Sequence, residues 1–393
     1  MTYPVGYTVW PFQPDWKSPF VANYAYKTEV FSSRVGKEQR RALRHNPRYY
    51  CEFDFALVRG QLVEFDRLMH GRQNAPIIMQ DVAETDTTAA TLAIGGASVS
   101  VTTAQPWMRV GATILIGDTQ AHVLQSVSGT TLGIYPTSTA AWPAGTKVSL
   151  GYKGYIQATT SIDTPTNTVG KGKVRFDAVP LELPPVTPPA AGVTWNGREV
   201  FLKRPNWSSA PQIEYGWPVE TVDYGRGATA MFNVIDFCQR TVKQTFVGKT
   251  RAEVREFRDF HDRMKGSRGE FYAPTWRPDM ELVSNVSAGS PTMTVAGKTL
   301  HTYMDGNTVN RQVAVVKTDG SLIYNEVSSM AISGDNTVVT FANAWPAINT
   351  SVVLMICWMP AWTLASDILT ISWLTDSVAT IGLSMRTVED IDV

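Results

Sequence analysis

Cysteine is scarce in this chain: Cys51, Cys238 and Cys357 are the only three in 393 residues, and they are widely separated. An odd, scattered set gives neither a disulfide framework nor a metal cage, so buried free thiols are expected. Histidine is equally thin, and His45, His70, His122, His261 and His301 show no ligand spacing among themselves or with cysteine. Net charge is missing too, because 35 basic residues balance 35 acidic ones. That balance removes the electrostatic reason for general nucleic-acid or anionic-membrane binding, so neither a membrane nor a specific nucleic acid is expected as a partner. Long hydrophobic runs are absent. The longest, Val352 to Trp358, reaches Trp362 only through Pro360, far short of a membrane span. The opening MTYPVGYTVWPFQPDW has no basic segment followed by an apolar one, so folding in a cytoplasm is expected.

Catalytic motifs are lacking as well. Gly248-Lys249-Thr250 resembles the end of a phosphate-cradling loop, but the glycine needed five positions before Gly248 is Lys243. These residues read better as a turn and helix cap. Gly170-Lys171-Gly172-Lys173 reads as a hairpin turn. No GxSxG elbow is present, and Glu29 and Glu220 read as structural rather than as a paired acid and base. The expectation is a chain with no catalytic residues, no metal, no cofactor and no enzymatic activity.

What the sequence does contain is a repeat. Thr250 to Trp276 reads as an amphipathic helix and an extended segment, with Val254, Phe257, Phe260 and Met264 on one face. Thr250 and Glu253 form a capping box, and Gly266 is placed to end the helix in a left-handed turn. Arg255 with Asp259, and Asp259 with Arg263, are spaced to pair on the solvent side. Val58 to Met79 is a first version of this stretch, with Glu64–Gly71 lying over Asp259–Gly266. Upstream, Pro14, Trp16, Ser18, Tyr24, Glu29 and Gly36 recur as Pro205, Trp207, Ser209, Tyr215, Glu220 and Gly227, each 191 positions on (207 − 16). Ala141-Trp142-Pro143 recurs as Ala344-Trp345-Pro346.

The fold class expected is mainly β with one principal helix per repeat, near 58–70 and 251–265. It is a tandem duplication in which each repeat carries a small β-barrel or sandwich insert. The first repeat spans 1–180 with its insert at about 81–151. A proline-rich linker follows at 181–194, and the second repeat spans 195–393 with its insert at about 282–358. The inserts announce themselves by short Thr-, Gly- and Val-rich strands at about ten-residue spacing. Tyr24 to Phe31 reads as one strand. Tyr49 to Phe55 reads as a half-buried strand with Tyr49, Cys51, Phe53 and Phe55 on one face.

Lys37 to Arg48 is basic, with Lys37, Arg40, Arg41, Arg44 and Arg48 against Glu38, whereas the matching Ala228 to Gln239 is apolar. A nucleic-acid surface would be basic in both copies, so two different protein contacts are favoured. The candidate interface residues are Glu38, Gln39, Arg40, Arg41, Arg44 and Arg48.

Gly36-Lys37-Glu38-Gln39-Arg40, Pro47-Arg48-Tyr49, the EF..LM.G helix and Gly269–Arg277 resemble tail-tip proteins of long-tailed bacteriophages and gene transfer agents. The closest class is the distal tail protein. Trp142–Thr146 is similar to β modules of phage minor tail proteins. The second repeat departs by lacking the Glu-Gln-Arg element. The resemblance implies a structural virion protein, assembled in the host cytoplasm, that forms a ring joining the tail tube to hub or fibre proteins. A duplicated chain could build that ring as a trimer with pseudo-six-fold symmetry, or as a hexamer. An alternative is a receptor- or carbohydrate-binding tail module, in which Trp107 or Trp142 would be exposed for stacking on sugars. A third, a tail-associated hydrolase, would need a carboxylate pair or metal in a cleft.

Overall fold

The computed structural model describes residues 8–33, 38–71, 75–157, 160–179, 188–217, 219–223, 225, 227, 229–233 and 237–389. Strand accounts for 51% and helix for 11%, so the chain is mainly β. The first half opens with β1 (Thr8–Val9), β2 (Phe20–Ala25) and a hairpin of β3 (Thr28–Ser32) and β4 (Glu38–Ala42). β5 (Arg48–Val58) leads into α1 (Gly60–Gly71) and β6 (Ile77–Thr87). Next come β7 (Ser98–Ser100), β8 (Thr113–Ile116), β9 (Gln120–Ser128) and β10 (Thr131–Tyr135). β11 (Lys147–Ile156), β12 (Ile162–Thr166) and β13 (Val169–Ala178) complete this half.

The second half starts with β14 (Thr194–Trp195), β15 (Arg198–Val200), β16 (Gln212–Gly216) and a hairpin of β17 (Val219–Asp223) and β18 (Thr229–Asn233). β19 (Gln239–Gly248) leads into α2 (Arg251–Met264) and β20 (Glu270–Tyr272). β21 (Thr292–Ala296) is followed by the short α3 (Thr299–Met304), β22 (Gln312–Lys317), β23 (Leu322–Ser333) and β24 (Asn336–Phe341). β25 (Val353–Trp358), β26 (Ala361–Leu364), β27 (Ile368–Trp373) and β28 (Ala379–Thr387) end the described chain.

Local chemistry accounts for the central elements. In β5 the alternation buries Tyr49, Cys51, Phe53, Phe55 and Leu57. In α2, Val254, Phe257, Phe260 and Met264 are buried, and the Thr250 hydroxyl accepts from the Glu253 amide at 3.2 Å. The helix ends one residue earlier than the glycine suggests. Lys265 takes the left-handed conformation at φ 53, and Gly266 continues it at φ 70. A Cβ at Gly266 would meet the Asp367 carboxylate at 2.5 Å, which restricts that position to glycine. The expected strand Tyr24 to Phe31 is interrupted at Tyr26-Lys27, which divides β2 from β3. Gly170 to Lys173 is not a turn but the interior of β13. A Cβ on Gly170 would meet Leu62 at 2.5 Å, and one on Gly172 the Ser161 carbonyl at 2.8 Å, so both glycines serve close packing.

The pairings of the first half recur in the second with the same register. β1 runs parallel to β6 as β15 does to β20. Val21 faces Glu52 between β2 and β5, and Gln212 faces Lys243 between β16 and β19, both partners 191 positions on (212 − 21, 243 − 52). Thr28 faces Ala42 in one hairpin, and Val219 faces Asn233 in the other, again 191 on. Cys51 faces Phe176, and Val242 faces Met385. Ile162 faces Gly172, and Ile371 faces Ile381, both 209 on (371 − 162). The aromatic packing recurs too. Trp10 meets Phe55 edge-on at 5.6 Å, and Phe201 meets Phe246 edge-on at 5.7 Å. Phe65 touches both rings of the first pair, as Phe257 does of the second. These contacts match Phe65 to Phe257, whereas the motif overlay sets it against Phe260. Trp16 and Trp207 occupy equivalent exposed turns, in which the Asp15 and Asn206 amides donate to the Asp54 and Thr245 carbonyls.

Within each half the strands after the helix pair in a closed circuit. In the first it runs β6, β11, β8, β9, β10 and β7, and returns through Thr88↔Val101. In the second it runs β25, β22, β23, β24 and β21, and closes through Leu282↔Val295 and Met280↔Ile356. One hydrophobic core joins the two halves, and the second circuit has its own around Met293, Val315 and Trp345.

Candidate assembly interface

The two halves meet along a strand seam. β2 of the first half pairs antiparallel with β27 of the second, from Phe20↔Trp373 to Ala25↔Ile368. Phe20, Ala22, Tyr24, Leu369, Ile371 and Trp373 are buried along it, and Thr370 donates its hydroxyl to the Asn23 side chain at 2.7 Å. Ladder hydrogen bonds and apolar burial therefore act together.

α2 lies across this seam and faces the first half with its polar side. Arg258 reaches Glu84 at 2.8 Å and stacks over the Tyr24 ring at 4.5 Å. Arg255 bonds Glu84 at 2.6 Å and Gln105 at 2.8 Å. Tyr26 donates its hydroxyl to Asp262 at 2.9 Å. The expected intrahelical pairs of Arg255 and Arg263 with Asp259 are displaced, because Arg255 turns to Glu84 and Arg263 forks onto Glu199 at 2.6 and 2.8 Å. Arg263 gains a bidentate carboxylate and Arg255 a buried one, each a stronger partner than the half-buried i,i+4 Asp259. Burial raises the Asp81 carboxyl to about 6, against the pull of Arg258 and with the push of Glu84. Burial likewise raises Asp262 and lowers His261 to about 4.

The β3–β4 hairpin supplies the third part of the seam and holds most of the candidate interface residues. Arg40, whose side chain is 5% exposed, pairs with Glu38 and donates to the Ser267 carbonyl at 3.1 Å. Arg386 clasps Glu38 at 2.8 Å. Thr28 binds Asp367 through its amide and hydroxyl, and Ser267 binds the same carboxylate. Arg44 donates to the Ala25 carbonyl at 3.2 Å. Glu38 and Arg40 thus join one half to the other inside the chain, and Arg44 braces the end of β2. Gln39, Arg41 and Arg48 are exposed and belong to none of these contacts.

Each part of the seam has a bare counterpart. Among the described residues, β16, which matches β2, is bonded only to β19, and β12, which matches β27, only to β13. On α1, the contacts that match Phe65 to Phe257 set Val63, Asp66 and His70 opposite Arg255, Arg258 and Asp262; these three are exposed. The β17–β18 hairpin carries exposed Val219, Met231 and Phe232. Trp217 and Tyr215 are exposed where Tyr26 and Tyr24 are buried.

The tryptophans that would serve sugar stacking are not available as platforms: Trp107 is 4% exposed, and Trp142 packs against the core and over Gly117. Cys51 and Cys357 are buried free thiols, and Cys238 is a partly exposed one. Among the described residues no group of three or more His, Cys, Asp or Glu could hold a metal ion, and no helix is long and apolar enough to cross a membrane. Sequence reasoning missed Asp81, Glu84, Asp367 and Arg386. The one available signal was the pair of carboxylates, Asp81 and Glu84, set in the run Ile77–Glu84, where Gln80 is the one other polar residue. No protein-family model matches the chain, and no curated protein matches it either.

Proposed function

We propose that this chain is a structural protein of a bacteriophage tail tip, of the distal or minor tail class, built by tandem duplication of a ring-forming domain. Each half carries a small closed β-barrel, in keeping with the two circuits of strand pairing. The observation that carries the reading is the seam, where two domains with the same strand register meet head to tail and leave the same two surfaces free at the outer ends. Heterologous contacts of this kind propagate until a ring closes. Three copies then present six similar domains, which suits a junction between a six-fold tail tube and a three-fold hub or fibre. The divergence of the β3–β4 and β17–β18 hairpins fits contacts with different neighbours. The chain works without catalysis or cofactor and resides in the virion after assembly in the host cytoplasm. Native mass spectrometry of the purified chain, with subunit counting in imaged particles, tests this. Three chains per ring are expected, six would reject the pseudo-symmetric version, and a particle lacking the protein would reject the tail assignment.

A further inference from the structure

We infer that neighbouring copies join by pairing the free edge of β12 in one copy with the free edge of β16 in the next, in the register that β27 and β2 use inside the chain. This rests on the reading of the chain as a repeated ring domain. Carried over by the two constant offsets, Ser372↔Val21 becomes Asp163↔Gln212 (372 − 209, 21 + 191), and Ile371↔Ala22 becomes Ile162↔Ile213. Thr370↔Asn23 becomes Ser161↔Glu214.

Three features of these edges fit the pairing. Ile162 and Ile213 both pack inward against the core, so the paired strands present their apolar sides to the same face, as Ile371 and Ala22 do. Ser161 opposite Glu214 restores a hydroxyl donor against a side-chain oxygen, the chemistry of Thr370 and Asn23. Pro165, which could not donate to a ladder, lies beyond the last of these pairs. An unprotected strand edge is a template for another strand, and here both complementary edges belong to the same chain. The apolar β17–β18 hairpin and the bare face of α1 flank these edges as their equivalents flank the internal seam. The copy-to-copy joint is therefore a more apolar version of the joint within each chain.

Single cysteines test the register and the polarity together. In a Cys238→Ser background, Gln212→Cys and Asp163→Cys chains are purified separately and mixed under mild oxidation, and the unmodified chain is sized by native mass spectrometry. A disulfide-linked dimer should form in the mixture as the dominant species and be at least ten-fold rarer in either chain alone. Disulfides within one variant would show a symmetric joint and overturn the inference. An assembled ring with no disulfide in the mixture would overturn the edge pairing and leave the ring reading standing. A monomeric chain with no disulfide would reject both.

Discussion

Tyr24 and Tyr215 stand at the same position of strands with the same register, yet one is 1% exposed and the other 62%. Nothing in their own strands explains the difference. Tyr24 is covered by β27 and by Arg258 from the other half, whereas among the described residues Tyr215 has no such cover. Burial at this position depends on the neighbouring domain rather than on the strand that carries the residue. Among the described residues the chain contains one such joint, between β2 and β27; a second joint, between copies, belongs to the proposal above.

The largest expected effect breaks this comparison directly. Tyr24→Ala removes a buried ring from the internal joint and should lower the unfolding free energy by about 3–4 kcal/mol. Tyr215→Ala in the monomeric chain should change it by less than about 0.5 kcal/mol. Urea titration of both variants measures the contrast, and equal losses would refute the idea that the neighbour decides burial.

Removing the cation of the joint comes next. Arg258→Met leaves Asp81 buried without its nearby arginine and Glu84 with Arg255 alone. A loss of about 3 kcal/mol is expected, because an uncompensated buried charge costs more than the pair contributes. Asp66→Ala, at the matching position on the bare face of α1, should be nearly neutral. Equal midpoints for the two variants in urea would show that the charged network is not anchoring the joint.

The pH dependence separates two buried groups whose effects oppose each other. Asp81 is raised from 3.8 to about 6, so the folded chain holds a proton that the unfolded chain releases, and stability falls as pH rises from about 4 to 6. His261 is lowered from 6.5 to about 4, so the unfolded chain binds the extra proton, and stability falls as pH drops from 6.5 to 4. The contributions of these two groups largely cancel between pH 4 and 6. Asp81→Asn removes the first, and its stability relative to wild type should climb from pH 4 to 6 and level off above that, by at most about 3 kcal/mol. Urea midpoints at pH 4, 5, 6 and 7 give the profile; one parallel to wild type would exclude this role for Asp81.

The legibility of the chain follows the range of its interactions. Local periodicity was enough for α1, α2 and β5, and repeated residues such as Trp16 and Trp207 pointed to equivalent turns. The basic stretch was expected to contact other proteins, but Glu38–Ala42 form β4, with Glu38 and Arg40 folded against Arg386 and Ser267 of the same chain. Those partners lie hundreds of positions away and leave no trace in local pattern. The same holds for Arg255, whose helical spacing suggests Asp259 although Glu84 wins. Gly170 and Gly172 misled for a related reason: their lack of a Cβ serves contacts with Leu62 and Ser161 from other elements, which a turn signal cannot reveal.

The smallest effect concerns how the two helices begin. Position 250 holds a threonine whose hydroxyl caps α2, while the matching position 59 holds an arginine at φ 45. A second contact is present in both halves, to the amide of the residue before the cap position: Glu253 accepts from the Lys249 amide at 2.8 Å, and Gln61 from the Val58 amide at 3.1 Å. α1 therefore keeps that contact, lacks the hydroxyl cap and starts from a left-handed residue that carries a side chain, at a cost of about 1 kcal/mol. Thr250→Ala should lower stability by about 1 kcal/mol through loss of the hydroxyl acceptor. Arg59→Gly relieves the left-handed strain but adds freedom to the unfolded chain, so a net gain of about 0.5 kcal/mol is expected. Thermal and urea unfolding of the two variants would show shifts of opposite sign. A loss on Arg59→Gly would mean that the arginine side chain contributes more than its backbone costs, and that the two helix starts are less comparable than their strands.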